Sequence, residues 1–217
     1  MFFEFVKENS PAPLKLYSGV KGLVSHGDEL RSYLDANKPE ILLVSVSQEE
    51  IEGLREFLKA PFEMNLSDYE IIYGVRLSVY GEVMTPPPIY TECVIYASST
   101  GSSVVGIDMT QDEFNEVYTR HMKPRHLVRH SLRKKRILHH DFKDTNEYEF
   151  AERWIERINS VRGLGNVDRE RAAHMATRID DFSRNEYRNG HLIVTDHEFF
   201  RALSGELSRK GWEIRKA

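Results

Sequence analysis

Two polar residues, Asp108 and His197, each lie just beyond a segment that is predicted to be a strand. A carboxylate and an imidazole are both ligands for divalent metals. Because parallel strands bind ligands at their carboxyl edge, we expect the two side chains to lie at the same edge of a sheet. The alternative is structural: Asp108 caps the helix near Thr110, and Asp196 or Thr195 caps the helix that begins at His197.

Three glycines lie between the first predicted strand and the first helix, at Gly19, Gly22 and Gly27. Backbone amides of such a loop can approach an anion, which makes Gly19 a candidate ligand-binding position. The spacing matches neither the dinucleotide-binding fingerprint nor the phosphate-binding loop. Turn glycines without a ligand are therefore the favoured interpretation.

Nucleophilic catalysis has little support in the sequence. No Gly-x-Ser-x-Gly pattern occurs, which disfavours a serine hydrolase. The single cysteine, Cys93, lies within a predicted helix among apolar neighbours, where a buried, unreactive thiol is the usual outcome.

The segment 120–136 contains eight Lys or Arg residues and no acid. In a helix over 124–138 the four arginines share one cationic stripe that could bind phosphates. The competing account, which we favour here, is that they pair with acids of the neighbouring helices, because no stacking aromatic residues accompany the charge. The arginines are Arg125, Arg129, Arg133 and Arg136, and the acids include Glu147, Glu149, Glu152 and Glu156.

The elements that would position these residues follow an α/β pattern. The apolar run 41–46 is typical of a strand buried on both faces of a parallel sheet, and Ser47 with Glu50 has the spacing of a capping box. A three-layer domain over 1–217 is predicted, with a mostly parallel central sheet and a helical insertion at about 110–185. The strands are predicted at 14–17, 41–46, 103–107, 192–195 and 212–215, and helices at 28–36, 48–58, 68–80, 89–99, 124–138, 147–161, 168–182 and 197–210, with a loop at 162–166.

Composition is that of a folded, water-soluble protein. The 217 residues are 40% hydrophobic and 29% charged, and no apolar run approaches the roughly 20 residues that span a bilayer. The amino terminus lacks the features of a secretion signal, and one cysteine allows no internal disulfide. A cytoplasmic location is expected, with no membrane partner. The net charge of −4 gives the whole molecule no strong attraction for polyanions.

Three blocks of sequence resemble the TraB family, whose α/β fold is related to erythromycin esterase and haem-binding ChaN proteins. In the family the first block is a strand, a GxxH loop, a helix and an apolar strand; the second is a helix, a glycine and a strand ending in aspartate; the third ends in a second GxxH. Some members are metal-dependent proteases. The blocks are LYSGVKG at 16–22 with PEILLVSVSQE at 39–49, ASSTGSSVVGID at 97–108, and 170–197, which ends in LIVTDH.

The resemblance implies a metal site at Asp108 and His197, and it aligns Arg120 and Arg171 with family arginines that would bind an anionic ligand or form ion pairs. A catalytic metal usually needs three protein ligands, and several family positions differ. The resemblance therefore implies a TraB-like scaffold whose site is lost or rebuilt. Gly22 replaces a histidine, Ser45 an acid, Ile89 a glutamate, and Val194 and Asp196 replace glycines.

Three functions follow as expectations. The first is binding of a small ligand or a protein partner without catalysis. The second is a metal-dependent, peptidase-like hydrolase in which replacement ligands complete the set with Asp108 and His197. The third is binding of a nucleic acid or another polyanion through 120–136. Homo-oligomerisation through the helical insertion is left open.

Overall fold

The computed structural model describes residues 1–8, 10, 12–184 and 190–216, and within them a six-stranded sheet forms the centre of the fold. The strand order is β4-β3-β5-β2-β1-β6. Neighbours in the series β4, β3, β5 and β2 are parallel, whereas β1 is antiparallel to both β2 and β6. The predicted α/β class with a mostly parallel sheet is confirmed. The strands are β1 Phe2–Val6, β2 Leu14–Gly19, β3 Ile41–Val44, β4 Ser103–Gly106, β5 His191–Asp196 and β6 Glu213–Lys216.

Helices lie between most of the strands. Among the described helices, α2, α3 and α5 begin with a capping box of a hydroxyl and a glutamate. The boxes at Ser47 and Thr110 were predicted, because a hydroxyl followed three residues later by glutamate satisfies two free amides at once. In the described part of the chain, no helix has the length and apolar character needed to cross a membrane. The helices are α1 Val24–Asn37, α2 Gln48–Lys59, α3 Asp68–Leu77, α4 Pro88–Thr100, α5 Gln111–His121, α6 Pro124–Leu138, α7 Glu147–Asn159, α8 Arg162–Arg184 and α9 His197–Arg209.

Both faces of the sheet are buried, which explains why its central strands are continuously apolar. Along β3, Leu42 and Val44 point to one core and Leu43 points to the other, as the two-residue period of a strand requires. Helices α1, α2 and α4 cover the first face, and helices α8 and α9 cover the second. These are the three layers that the sequence predicts.

A third hydrophobic cluster lies next to the carboxyl end of the sheet. It joins α3, α6 and α7 to Val20 and Leu23, the residues that follow β2. Phe150 and Trp154 of α7 pack there against Tyr73 of α3. These helices therefore flank the edge of the sheet at which α/β proteins bind ligands.

The prediction of a loop at 162–166 is wrong, because this segment is the first turn of α8. Its glycines serve close packing and do not terminate the helix. A Cβ atom on Gly163 would lie 2.9 Å from the carbonyl oxygen of His121, and one on Gly165 would lie 2.9 Å from that of Asn159. Strand β1 is an addition, since no element was predicted at the amino terminus.

Candidate functional site

A cleft of about 770 Å³ opens at the carboxyl edge of the parallel strands. Ser45 follows β3 and Asp196 ends β5, and both residues line its floor. The walls come largely from α2, α3, α7 and the connectors that follow α2 and α3. The cleft thus combines a polar floor with walls that are mostly apolar, among them Leu54, Phe57, Tyr69, Met84, Trp154 and Ile158.

Asp196 has a structural role at the floor of the cleft. Its Oδ1 accepts a hydrogen bond of 3.0 Å from the backbone amide of Phe199, so it caps α9, as the alternative interpretation of the sequence proposed. Its Oδ2 accepts a hydrogen bond of 2.9 Å from the Tyr90 hydroxyl, which also lies 3.1 Å from Ser45 Oγ. Both carboxylate oxygens of Asp196 are therefore satisfied by the protein.

Glu198 and Tyr73 differ from Asp196 in having no such partners. Their side chains line the cleft, the residues are only 5% and 7% exposed, and among the described residues neither Glu198 carboxylate oxygen nor the Tyr73 hydroxyl has a hydrogen-bond partner. Burial raises the pKa of Glu198 to about 7, against an opposing effect of Lys21. Burial, followed by the charge of Glu198, raises the pKa of Tyr73 well above its ordinary value. The two side chains lie close enough for a weak Tyr73–Glu198 hydrogen-bond interaction to shift the pKa of both groups, although their atoms do not reach the geometry of an ordinary hydrogen bond.

Lys21 supplies a positive charge beside this pair. Its Nζ lies 5.7 Å from the centroid of the Tyr73 ring, and no acid of the described residues lies within 4.0 Å of it. Burial lowers the pKa of Lys21, but the charges of Glu198 and Asp196 raise it by more, so the net shift is upward. The charge of Lys21 is therefore stabilised by several acids of the cleft together and not by a single ion-pair partner.

Arg171 is bound into an ion-pair cluster. Its Nε donates a hydrogen bond of 3.0 Å to Asp108 Oδ2, its Nη2 binds the same oxygen, and its Nη1 lies 3.7 Å from Asp168. The guanidinium carbon also lies 4.3 Å from the ring centroid of Phe199. Burial lowers the pKa of Arg171, but Asp108 and Asp168 shift it upward overall. The structure thus joins two sequence-predicted residues, Asp108 and Arg171, at the edge of the cleft.

Asp108 does not cap the following helix. Its Oδ1 accepts a hydrogen bond from the next backbone amide, that of Met109, whereas Thr110 is the cap of α5. With one oxygen engaged by that amide and the other by Arg171, the Asp108 carboxylate is already occupied.

His197, Gly19 and Arg120 lie outside the residues that line the cleft. The His197 ring is buried, with Nδ1 at 2.9 Å from Ser18 Oγ and Nε2 at 3.4 Å from Glu152, and burial lowers its pKa. Gly19 ends β2 at a position where a Cβ atom would collide with Tyr17. Arg120 forms an exposed ion pair with Glu170.

A divalent metal has no ready ligand set here. Within the part of the chain that the structure describes, no group of three or more His, Cys, Asp or Glu residues is arranged to hold a metal ion. The predicted ligands are both engaged elsewhere, Asp108 by Arg171 and His197 by Ser18 and Glu152. As arranged, these donors do not fit a metal, and the metal site stays a prediction.

The favoured account of the basic segment is wrong with respect to α7. The four acids named for it are paired with His26, Arg153, His197 and Arg201. Among the described residues, none of the four arginines of the α6 stripe forms an ion pair within 4.0 Å. Two other cations of the segment 120–136 do form ion pairs, Lys134 with Asp68 and Arg120 with Glu170. No acid of the described residues therefore neutralises the stripe.

Sequence reasoning missed the two residues that make the floor of the cleft unusual, Glu198 and Tyr73. Glu198 stands one position after His197 in the first turn of α9, where an acid normally signals only a favourable helix end. Tyr73 lies in an apolar helix and is indistinguishable from a core aromatic residue by spacing. The available signal was the position of Glu198 in the first turn after the carboxyl end of a buried strand, β5.

No protein-family model matches the sequence, and no curated protein matches it either.

Proposed function

We propose that this protein binds a small organic molecule in the cleft, with a hydrogen-bond-donating group against Glu198 and Tyr73 and an apolar body between the walls. The observation that supports the proposal is a pair of buried polar groups on the floor, neither of which has a hydrogen bond of ordinary geometry to any described residue. A buried polar group that makes no hydrogen bond costs roughly 1–3 kcal/mol. Such a cost is explained when a ligand supplies the partner.

The charge of the floor indicates which polar group a ligand brings. Four carboxylates lie in or beside it against the two cations Lys21 and Arg171, and Arg171 is already paired twice. A donor such as an amine or a hydroxyl would satisfy Glu198, whereas a carboxylate would meet a negative field. We therefore favour an amine or an alcohol over an acid. The four carboxylates belong to Asp108, Asp168, Asp196 and Glu198.

The walls indicate the rest of the molecule. Small-molecule sites are typically concave and mostly apolar, with a few polar groups that fix orientation. Here Phe57, Tyr69 and Trp154 offer aromatic surface above the polar floor. An alkyl or aromatic amine of modest size combines the two requirements.

We also propose that the chain is a member of the TraB family whose scaffold has lost the family's metal site. The sheet edge used here is the one at which the resemblance places the family site, and the polar residues at it bind one another. A metal-dependent hydrolase is the alternative, and the pairing of Asp108 with Arg171 speaks against it. Elemental analysis of the purified protein separates the two. We expect no stoichiometric Zn, Mn or Fe, whereas a metal lost on His197→Ala would support the hydrolase.

A direct test is isothermal titration of three matched probes: a phenylalkyl amine, the corresponding alcohol and the corresponding carboxylate. We expect the amine to bind most tightly and the carboxylate to bind least. Glu198→Gln should remove the preference for the amine, while Glu116→Gln on the exposed surface of α5 should leave it unchanged. Equal binding of all three probes, or a preference that survives Glu198→Gln, would contradict the proposal.

A further inference from the structure

We propose that the outer surface of α6 and α3 binds the surface of a membrane rich in anionic phospholipid, with α6 lying against the headgroups. The exposed arginine and aliphatic side chains of this surface do not line the cleft. It departs from the sequence-based expectation of no membrane partner, because the sequence could not show which side chains of α6 face solvent.

The first observation is a cationic stripe without counter-charges. Arg125, Arg129 and Arg136 are exposed, and no described acid lies within ion-pair distance of them. Burial and the neighbouring arginines, first Arg129 and then Arg157, lower the pKa of Arg133. The cations therefore repel one another, and an anionic surface would relieve that repulsion.

The second observation is apolar surface on the same helix. Leu132 is 70% exposed and Val128 is 60% exposed. Leu127, the residue before Val128, is 46% exposed. The only fully buried side chain among those described on α6 is Ile137. Leucine and valine contribute nothing to phosphate binding, so these positions need an explanation that charge alone does not give.

The neighbouring helix also carries exposed apolar side chains. Helix α3 packs beside α6, where the Tyr69 ring stacks on His130 and Asp68 pairs with Lys134. Its residues Ile71 and Val75, one helical turn apart, are 50% and 61% exposed. Val79, just beyond the end of α3, is 76% exposed. Together the two helices present large apolar side chains in a setting rich in arginine.

An anionic bilayer is the partner that fits both observations. Helices with leucine and basic residues on their outer faces bind at the interface, where apolar side chains enter the acyl boundary and Arg contacts lipid phosphates. A nucleic acid would use the arginines and leave Val128 and Leu132 in water. A second copy of this chain would place two cationic stripes against each other.

The test is co-sedimentation of the full chain with vesicles of phosphatidylcholine alone and of phosphatidylcholine with phosphatidylglycerol. Replacement of the three exposed stripe arginines by glutamine should lower partitioning onto the anionic vesicles roughly 100-fold, from the usual contribution of each surface cation. The matched control carries Arg169→Gln, Arg209→Gln and Arg215→Gln, at exposed positions elsewhere, and should bind as the native chain does.

A second pair of variants tests the apolar contribution. Val128→Ser with Leu132→Ser should lower partitioning about tenfold or more, because two exposed aliphatic side chains no longer leave water on binding. Ile95→Ser with Ile214→Ser removes side chains of 46% and 48% exposure from other surfaces and should change nothing. Circular dichroism melting checks that each variant folds.

Two results would overturn the proposal. One is equal partitioning onto neutral and anionic vesicles, or none onto either. The other is salt-sensitive binding of an RNA duplex that falls with the arginine substitutions and is unaffected by the serine substitutions, while anionic vesicles are not bound. That second result would assign the stripe to a nucleic acid.

Discussion

Glu198 and Tyr73 lie close together on the floor of the cleft, each buried and each without a hydrogen-bond partner among the described residues. Asp196, the last residue of β5, also lies on the floor, but both of its carboxylate oxygens accept hydrogen bonds from protein donors. The difference matters, because buried polar groups in native proteins are nearly always paired. The account of this protein as a ligand-binding scaffold depends on this pair.

Removal of the Tyr73 hydroxyl should stabilise the unliganded protein. The ring of Tyr73→Phe would keep its contacts with Phe150 and Trp154, while an unsatisfied buried hydroxyl disappears. We expect the free energy of unfolding, measured with urea, to rise by about 1 kcal/mol. Tyr96→Phe is the matched control. It loses a hydrogen bond of 3.1 Å to the Pro39 carbonyl and should lower stability by about the same amount. Equal losses in both variants would show that the Tyr73 hydroxyl is bonded.

Glu198 should make stability fall as pH rises. Its pKa is raised by burial to about 7 from an ordinary value of 4.5, so between these pH values the folded protein holds a proton that the unfolded chain has released. The contribution of Glu198 is therefore most favourable below pH 4.5 and is lost as pH rises through about 7. Glu198→Gln removes this loss.

The measurement is urea unfolding of the native chain and of Glu198→Gln at several pH values from 4.5 to 8. The difference in the free energy of unfolding should grow in favour of the variant by roughly 2–3 kcal/mol across that range. Comparing the two chains cancels the opposite effect of the buried histidines, whose lowered pKa values make stability rise with pH. A difference that stays constant would refute the burial of an ionisable carboxyl at this position.

Arg171 and Asp108 should behave as a coupled, largely buried pair. Arg171→Met leaves Asp108, only 5% exposed, without its counter-charge, and should cost about 3 kcal/mol. Adding Asp108→Asn should recover part of that cost, so a double-mutant cycle measures the coupling. Arg209→Met, at a side chain 71% exposed, should cost less than about 1 kcal/mol. Additive effects of the two substitutions would point to independent roles, for instance contacts to a ligand.

The glycines of α8 and α9 should respond in opposite ways to alanine. Gly163→Ala would bring a methyl group to 2.9 Å from the His121 carbonyl oxygen and 2.7 Å from Met122 Sδ, so the variant should lose more than about 1 kcal/mol. Gly205→Ala has open space within 4 Å and should gain up to about 1 kcal/mol from helix propensity. Thermal unfolding distinguishes the two. A gain in stability at both positions would show that α8 has room for a methyl group at Gly163.

The order of strands and helices could be predicted because local signals agreed with the fold. The apolar run of β3, the capping boxes at Ser47 and Thr110 and the basic helix 124–138 are each properties of a short segment. Gly163 defeated the same reasoning, since a glycine that permits a close approach looks in sequence like one that ends a helix. Only the packing partner distinguishes the two uses.

The site was harder to predict, because it depends on which groups remain unpaired. The sequence marked Asp108 and Arg171 as ligand candidates, and the structure shows that they bind each other. The sequence likewise suggested that acids on α7 pair with the α6 arginines. In the structure those acids pair with other cations. Pairing is decided by side-chain geometry across distant elements, and the sequence does not show that Glu198 lies near Tyr73 and Lys21 without an ordinary hydrogen-bond partner among the described residues.

Crystallography of the protein soaked with the phenylalkyl amine and with the matched carboxylate is the most direct measurement of the central claim. We expect the amine nitrogen within hydrogen-bond distance of Glu198, near the Tyr73 hydroxyl, with its ring between Tyr69 and Trp154, and we expect the carboxylate to be absent from the floor. A structure in which the Tyr73 hydroxyl donates directly to Glu198, with neither probe at the floor, would contradict the account.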